Sequence, residues 1–207
     1  MIKAVIFDMD GVLIDAKDWH YEALNRALRL FGMEISRSDH LTTFDGLPTR
    51  RKLEMLTVTE NLPEGLHRFL NDLKQVYTLE LVSSRCRPTF AHEFALARLK
   101  ARGVKLAVAS NSVRNSVVSM MDRANLTRHL DLMLSNEDVS RAKPDPEIYR
   151  TAMERLGVSP QEALIVEDNE HGIMAARASG GHLLVVQTPA DVTLSNIDRR
   201  IAEIEAA

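Results

Sequence analysis

The chain of 207 residues has one cysteine, Cys86. An internal disulfide is therefore impossible, and a reducing, cytoplasmic setting is the expectation. Excess charge of either sign is also missing: 26 Lys and Arg face 29 Asp and Glu, for a formal net charge of -3. That balance gives no electrostatic footprint for nucleic acid or for an anionic membrane. No uninterrupted apolar run approaches the ~20 residues that a membrane-spanning helix needs. The first residues lead straight into a strand pattern, without signal-peptide architecture. Internal repeats and low-complexity tracts are absent as well. What remains is ordinary globular composition, 45% hydrophobic and 27% charged, enough for one core or a core plus a smaller appended unit.

Five short apolar runs rich in β-branched residues recur, at Ile2–Phe7, Lys105–Ser110, Asp131–Ser135, Ala163–Glu167 and His182–Gln187. Each is too continuously apolar for a half-exposed strand, which predicts strands covered on both faces. Helical patterns at Val113–Ala124, Pro146–Leu156 and Gly172–Ser179 alternate with the last four runs. Such alternation predicts an α/β fold with a parallel sheet and crossover helices. Gly103, Gly157 and Gly180 fall where helices should end. The interval from about Asp15 to Arg87 breaks this alternation. Apolar residues at helical spacing predict helices over Asp18–Phe31 and Pro63–Val76, with a shorter one over Arg50–Leu56. Trp19, Phe31 and Phe69 are expected in the core of this all-helical insertion, and Cys86 is expected to be an inert apolar residue.

Ligands of open parallel sheets sit outside the carboxyl ends of the strands. Four such ends here carry chemistry. The first strand runs into Asp8 and Asp10, the second into Ser110 and Asn111, the loop after the third holds Lys143, and the fourth delivers Glu167 and Asp168. Two carboxylates one residue apart at the end of a buried strand need a cation. Asp8, Asp10 and Asp168 offer the hard oxygen donors that suit Mg2+, with Glu167 reading equally as a fourth ligand or as an acceptor behind the others. Lys143 can bridge a phosphate and a carboxylate, and Ser110 can donate to phosphoryl oxygens. A carboxylate attacking phosphorus forms an aspartyl-phosphate, and a second acid nearby can protonate the leaving oxygen and then activate water. Phosphoryl transfer needs chiefly positioning and charge stabilisation, which this set supplies.

Four segments in order, "DMDGVL" at Asp8–Leu13, "VASNS" at Val108–Ser112, "RAKPDPEIY" at Arg141–Tyr149 and "IVEDNEHGIMAA" at Ile165–Ala176, resemble the haloacid dehalogenase superfamily, and most closely its branch of β-phosphoglucomutase-like and phosphoglycolate phosphatase-like proteins. The resemblance implies a Rossmann-like core over residues 1–14 and 88–207 and an α-helical cap over residues 15–87 that closes on small substrates. It further implies Asp8 as nucleophile, Asp10 as general acid and base that also gives its backbone carbonyl to the metal, Ser110, Asn111 and Lys143 as phosphate-binding residues, and Asp168 with Glu167 completing a Mg2+ site. His20 on the first cap helix reads as facing the active site or as a half-exposed structural residue. Gly46 and Arg50 lie in a stretch similar to the specificity loop of the family, where Thr49, Arg50 and Arg51 leave the binding arginine unassigned. The remaining histidines, His40, His67, His92, His129, His171 and His182, lack metal-ligand spacing and read as filler. Ala16 and Asn169 depart from the residues usual in the family and are expected to adjust contacts without abolishing chemistry.

The expected activity is Mg2+-dependent hydrolysis of a small phosphorylated metabolite of the sugar-phosphate kind, by a monomer or weak homodimer. The rival is a phosphomutase, which shares the core and differs only in the cap. A catalytically silent binding domain would have lost at least one key group, and all are present; dehalogenation does not need these acids in this form.

Overall fold

The computed structural model describes residues 1–206. Its centre is a five-stranded, wholly parallel sheet in the order β3-β2-β1-β4-β5. The strands are β1 (Ala4–Phe7), β2 (Lys105–Ala109), β3 (Leu132–Leu134), β4 (Ala163–Glu167) and β5 (His182–Val185). β1 is the middle strand, pairing Ala4–Phe7 with Lys105–Val108 on one side and Ala163–Val166 on the other.

The continuous apolar runs have a simple cause. Successive strand residues point to opposite faces, so a strand covered twice must be apolar at every position. One face collects Val5, Phe7, Leu106, Val108, Leu164 and Val166 beneath α5 (Phe90–Ala101), α6 (Arg114–Arg123) and α9 (Leu194–Glu205). The other collects Ala4, Ile6, Ala107, Ala109, Ala163 and Ile165 beneath α7 (Glu147–Leu156) and α8 (Glu170–Ser179). The smaller residues of this second face leave room for Tyr149 and Met153 of α7, both in its cluster.

Between β1 and α5 the chain makes α1 (Lys17–Arg29), the short α2 (Arg37–Asp39) with a following π-helical turn, α3 (Thr49–Glu60) and α4 (His67–Arg85). These bury a cluster of their own, built from Leu24, Leu28, Ile35, Phe44, Leu53, Leu56, Leu62 and Leu70. Asn25 stitches it together, donating to and accepting from the backbone of Ile35 at 2.9 Å each.

Several elements differ from the sequence reading. α4 continues nine residues past Val76, to Arg85, where Cys86 is buried as expected and closes it. Phe31 and Phe69 are not core residues: they are 41% and 53% exposed and meet edge to face with centroids 6.0 Å apart. On α4, Leu70 takes the inward position, and its neighbour Phe69 is rotated by about 100° around the axis. Trp19 packs against the main core instead of the cluster of the insert. α5 escaped the sequence reading because Phe90 and Phe94, stacked at 5.8 Å and exposed, place apolar side chains on its outer face and hide the period of Ala95, Leu96 and Leu99. Among the described residues, no helix is long and apolar enough to cross a membrane.

Candidate active site

β1 ends at Phe7, and Asp8 follows with its backbone N–H still donating to Val166 across the sheet. Its carboxylate is therefore held at the point where the strand order reverses, between β2 on one side and β4 on the other. Lys143 reaches in from the loop before α7. Its Nζ donates to Asp8 Oδ1 at 2.6 Å and to Glu167 Oε1 at 2.7 Å, and all three residues are at least nine-tenths buried. Glu167 also accepts from the Tyr149 hydroxyl at 2.5 Å and from the backbone N–H of Asp168 at 3.0 Å. Burial pushes the Asp8 carboxyl well above its ordinary value, opposed by Lys143 and reinforced by Glu167, Asp10 and Asp168. Burial also works against the Lys143 ammonium, but Asp8 and Glu167 outweigh it and raise its pKa. The carboxylates that surround the lone ammonium add to the effect of burial on Asp8 and overcome it on Lys143.

Asp168 shows the same excess. Its Oδ2 lies 2.8 Å from Lys17 Nζ, yet the contact is poorly directed and the buried oxygen lacks a well-formed hydrogen bond. Lys17 is also 3.5 Å from Asp45. Asp8, Glu167 and Asp168 each present a carboxylate oxygen within 4.8 Å of the others. Three hard oxygen donors, one poorly satisfied and the set under-compensated by cations, fit a divalent ion of the Mg2+ kind. The packing is close: Gly11 has φ +92°, and a Cβ there would fall 2.1 Å from Asp168 Oδ2. Only glycine lets the chain turn over that oxygen.

The side chain of Asp10 points away from this cluster. Oδ1 accepts from His20 Nε2 at 3.0 Å and Oδ2 from Ser112 Oγ at 2.9 Å. On the far side of the ring, Lys74 Nζ lies 3.0 Å from His20 Nδ1. A neutral imidazole with its proton on Nε2 completes the chain, accepting from the Lys74 ammonium and donating to Asp10. Burial opposes the Asp10 charge, but His20, Ser112 and Lys74 together hold its pKa low. Burial and Lys74 lower the pKa of His20, and burial with the nearby Lys52 pulls Lys74 down to about 7. Asp10 is thus tied to two bases poised below their usual ranges.

The structure brings Asp8, Asp10, His20, Ser110, Asn111, Lys143 and Gly46 to one cleft of about 210 Å3. Ser110 accepts from the backbone N–H of Ser112 at 3.0 Å, which leaves its own hydroxyl proton free to donate into the cleft. Asn111 is engaged as a strut: Oδ1 accepts from the N–H of Lys143 at 3.0 Å, and Nδ2 donates to Gly46 O at 3.0 Å. Gly46 has φ +71°, and a Cβ there would approach Asn169 Oδ1 to 2.9 Å, so the insert touches the sheet rim backbone to side chain. Asn169 itself caps α8 through Gly172 N–H. Arg50 touches the mouth of the cleft, but its side chain is 88% exposed and its guanidinium binds Glu54 at 3.1 Å.

Five residues of the site were not singled out from the sequence: Lys17, Lys52, Lys74, Ser112 and Tyr149. Ser112 and Tyr149 fall inside quoted motifs, but nothing in a linear pattern distinguishes a lysine turned into a cleft from a solvated one. His40, expected as filler, lines the cleft and is 2% exposed.

A profile for "Haloacid dehalogenase-like hydrolase" matches residues 5–186, most of the chain. The chain belongs to the haloacid dehalogenase-like hydrolases. The phosphorylated carbohydrates phosphatase of Thermotoga maritima is 32% identical over 86% of this chain and 82% of its own length. The phosphoglycolate phosphatase of Aquifex aeolicus is 30% identical over 86% and 82%. Among solved structures, the β-phosphoglucomutase of Clostridium difficile superposes with a TM-score of 0.87 at 22% identity, covering both chains completely. That last likeness is one of fold: the sheet, the crossover helices and the helical insert of this hydrolase recur in it.

Proposed function

We propose that this hydrolase is a Mg2+-dependent phosphatase of a small phosphorylated carbohydrate, working through an aspartyl-phosphate on Asp8. The observation that carries this reading is the buried Asp8–Lys143–Glu167 array beside Asp168, a cation-deficient carboxylate cluster with hydroxyl and ammonium donors on the same rim. The phosphatases named above, at 30% identity and more over most of their length, support hydrolysis of such esters over isomerisation. The similarity to a mutase is one of fold, at lower identity.

Asp8, Asp168 and Glu167 would hold the ion, with the backbone carbonyl of Asp10 as a further donor. When bound, Mg2+ neutralises the carboxylates and draws charge from the phosphoryl oxygens. Lys143 and the Ser110 hydroxyl position the phosphoryl group, while Asp8 attacks phosphorus in line with the leaving oxygen. Asp10 carries the proton to that oxygen, and later takes one from the water that hydrolyses the acyl phosphate. The Asp10–His20–Lys74 chain supports both roles, because a proton passed from Lys74 to His20 Nδ1 releases the Nε2 proton to Asp10, and the reverse shift returns it. The insert of residues 15–87 acts as a cap over the core of residues 1–14 and 88–207, and its closure excludes bulk water from the acyl phosphate.

The test is release of inorganic phosphate across a panel of sugar phosphates, with and without a chelator. Chelation is expected to abolish release and added Mg2+ to restore it. Rates indifferent to the chelator would remove the metal from the reaction, and no release from any ester would remove the phosphatase reading.

A further inference from the structure

Lys17, the first residue of α1, has no part in the chemistry just described. A cation at that position opposes the helix dipole, and Ala16 before it supplies no side-chain cap, so the helix itself gives no reason for a lysine there. The side chain instead lies over the loop that follows β1. Gly11 clears its path: a Cβ there would fall 2.8 Å from Lys17 Cε as well as 2.1 Å from Asp168 Oδ2. The ammonium ends between two carboxylates, 2.8 Å from Asp168 Oδ2 and 3.5 Å from Asp45 Oδ2. Among the described residues neither carboxylate has another ion-pair partner. Their surroundings differ, for the Asp168 side chain is 1% exposed and that of Asp45 is 25% exposed.

Lys17 thus stands on one of the three carboxylates that fit a divalent ion. It offsets the charge of Asp168 Oδ2 without closing a well-formed hydrogen bond to it, so the oxygen keeps its capacity to coordinate. A divalent ion would share that carboxylate with an ammonium, and two cations so close repel strongly where water is scarce. Charge balance points the same way. Ionised Asp8, Glu167 and Asp168 with Lys143 leave a double negative excess, which one divalent ion cancels. Lys17 is then a surplus cation, and the carboxylate within its reach is Asp45. Resting on the Mg2+ reading above, we infer that Lys17 is a positioning residue of the metal centre: a tethered cation that competes with the divalent ion for Asp168 and passes to Asp45 when the ion binds. It holds down the affinity of the site, so that loading of the enzyme follows the free Mg2+ concentration.

The test measures the Mg2+ dissociation constant from the rise of Tm along a MgCl2 series at constant ionic strength, which needs no substrate. Lys17→Met and Lys17→Gln are each expected to lower that constant roughly 10-fold, through loss of one close like charge. Lys17→Arg keeps the charge and should stay within about 3-fold of wild type. Asp45→Asn removes the carboxylate to which Lys17 passes and is expected to raise the constant about 3-fold, an effect that shrinks or vanishes when combined with Lys17→Met. A constant unchanged or raised in Lys17→Met and Lys17→Gln overturns the inference while leaving the metal in place, as does a Lys17→Arg protein that gains affinity to the same extent. An Asp45→Asn effect of equal size with and without Lys17 overturns the transfer to Asp45. A wild-type Tm that does not move with MgCl2 overturns the Mg2+ reading itself, and the inference with it.

Discussion

The two walls of the cleft handle charge in opposite ways. On the sheet wall, ammonium and carboxylate meet within 3 Å: Lys143 with Asp8 and Glu167, Lys17 with Asp168. On the helical wall, Lys52 pairs with no carboxylate of the described residues, His40 Nε2 is buried without a partner, and Lys74 leans on an imidazole. The first wall is organised before any ligand arrives, as electrostatic catalysis requires, because donors already in place need not reorganise during reaction. The second keeps Lys52 and Lys74 out of direct contact with any carboxylate. Pairing of charge therefore distinguishes the Lys143 side of the cleft, where ammonium meets carboxylate directly, from the Lys52 and Lys74 side, where it does not.

The sharpest way to break this comparison is to remove the central cation of the organised wall. Lys143→Met leaves Asp8 and Glu167 buried and facing each other, and is expected to cost about 3–5 kcal/mol of stability at pH 7 in a urea melt. The loss should shrink in acid, where the carboxyls take up protons. A cost near zero would mean that the array is not tightly coupled.

The mirror experiment on the other wall has the opposite sign. Lys52 falls from 10.5 in the unfolded chain to about 8 in the folded one, which corresponds to about 3 kcal/mol of unfavourable burial. Below pH 8 both states are charged and the folded protein bears all of that cost. Between pH 8 and 10.5 the unfolded chain keeps a proton that the folded chain releases, so stability rises with pH; above 10.5 the difference is gone. Lys52→Met is thus expected to stabilise the free protein by up to about 3 kcal/mol at pH 7, with the gain fading toward pH 10.5. A destabilised variant at pH 7 would show that Lys52 is satisfied within the fold. The smallest effect belongs to Asn111, which joins the walls by bonding Lys143 and Gly46. Asn111→Ala should cost about 1 kcal/mol in the same melt, one ordinary hydrogen bond; a loss as large as that of Lys143→Met would mean the walls are a single unit.

The same division governs how much of the molecule could be read from the chain. Asp8, Ser110, Lys143, Glu167 and Asp168 each sit at or just beyond the end of an apolar run, or in the loop that follows one. A parallel sheet collects such positions at one edge, so local pattern becomes spatial proximity. Lys52 and Lys74 lie on amphipathic helices, where a lysine normally faces water. Their burial comes from how α3 and α4 pack beside the cleft, α4 against α1 and α6 and α3 against α4, and no local period reports that. His40 was lost for a similar reason: the π-helical turn that carries it has no apolar repeat. Phe31 and Phe69 err in the other direction, being apolar and regularly spaced yet paired on the surface.

The central claim is that Asp8 itself takes the phosphoryl group. The direct measurement is mass spectrometry of the protein quenched during turnover of a hydrolysed sugar phosphate, using Asp10→Asn to slow hydrolysis of the acyl phosphate. A single phosphoryl group mapped to Asp8, absent in an Asp8→Asn variant whose kcat falls on the order of 10^4-fold or more while its fold persists, is the predicted result. A phosphoryl group on another residue, or an Asp8→Asn enzyme that turns over like wild type, would contradict it.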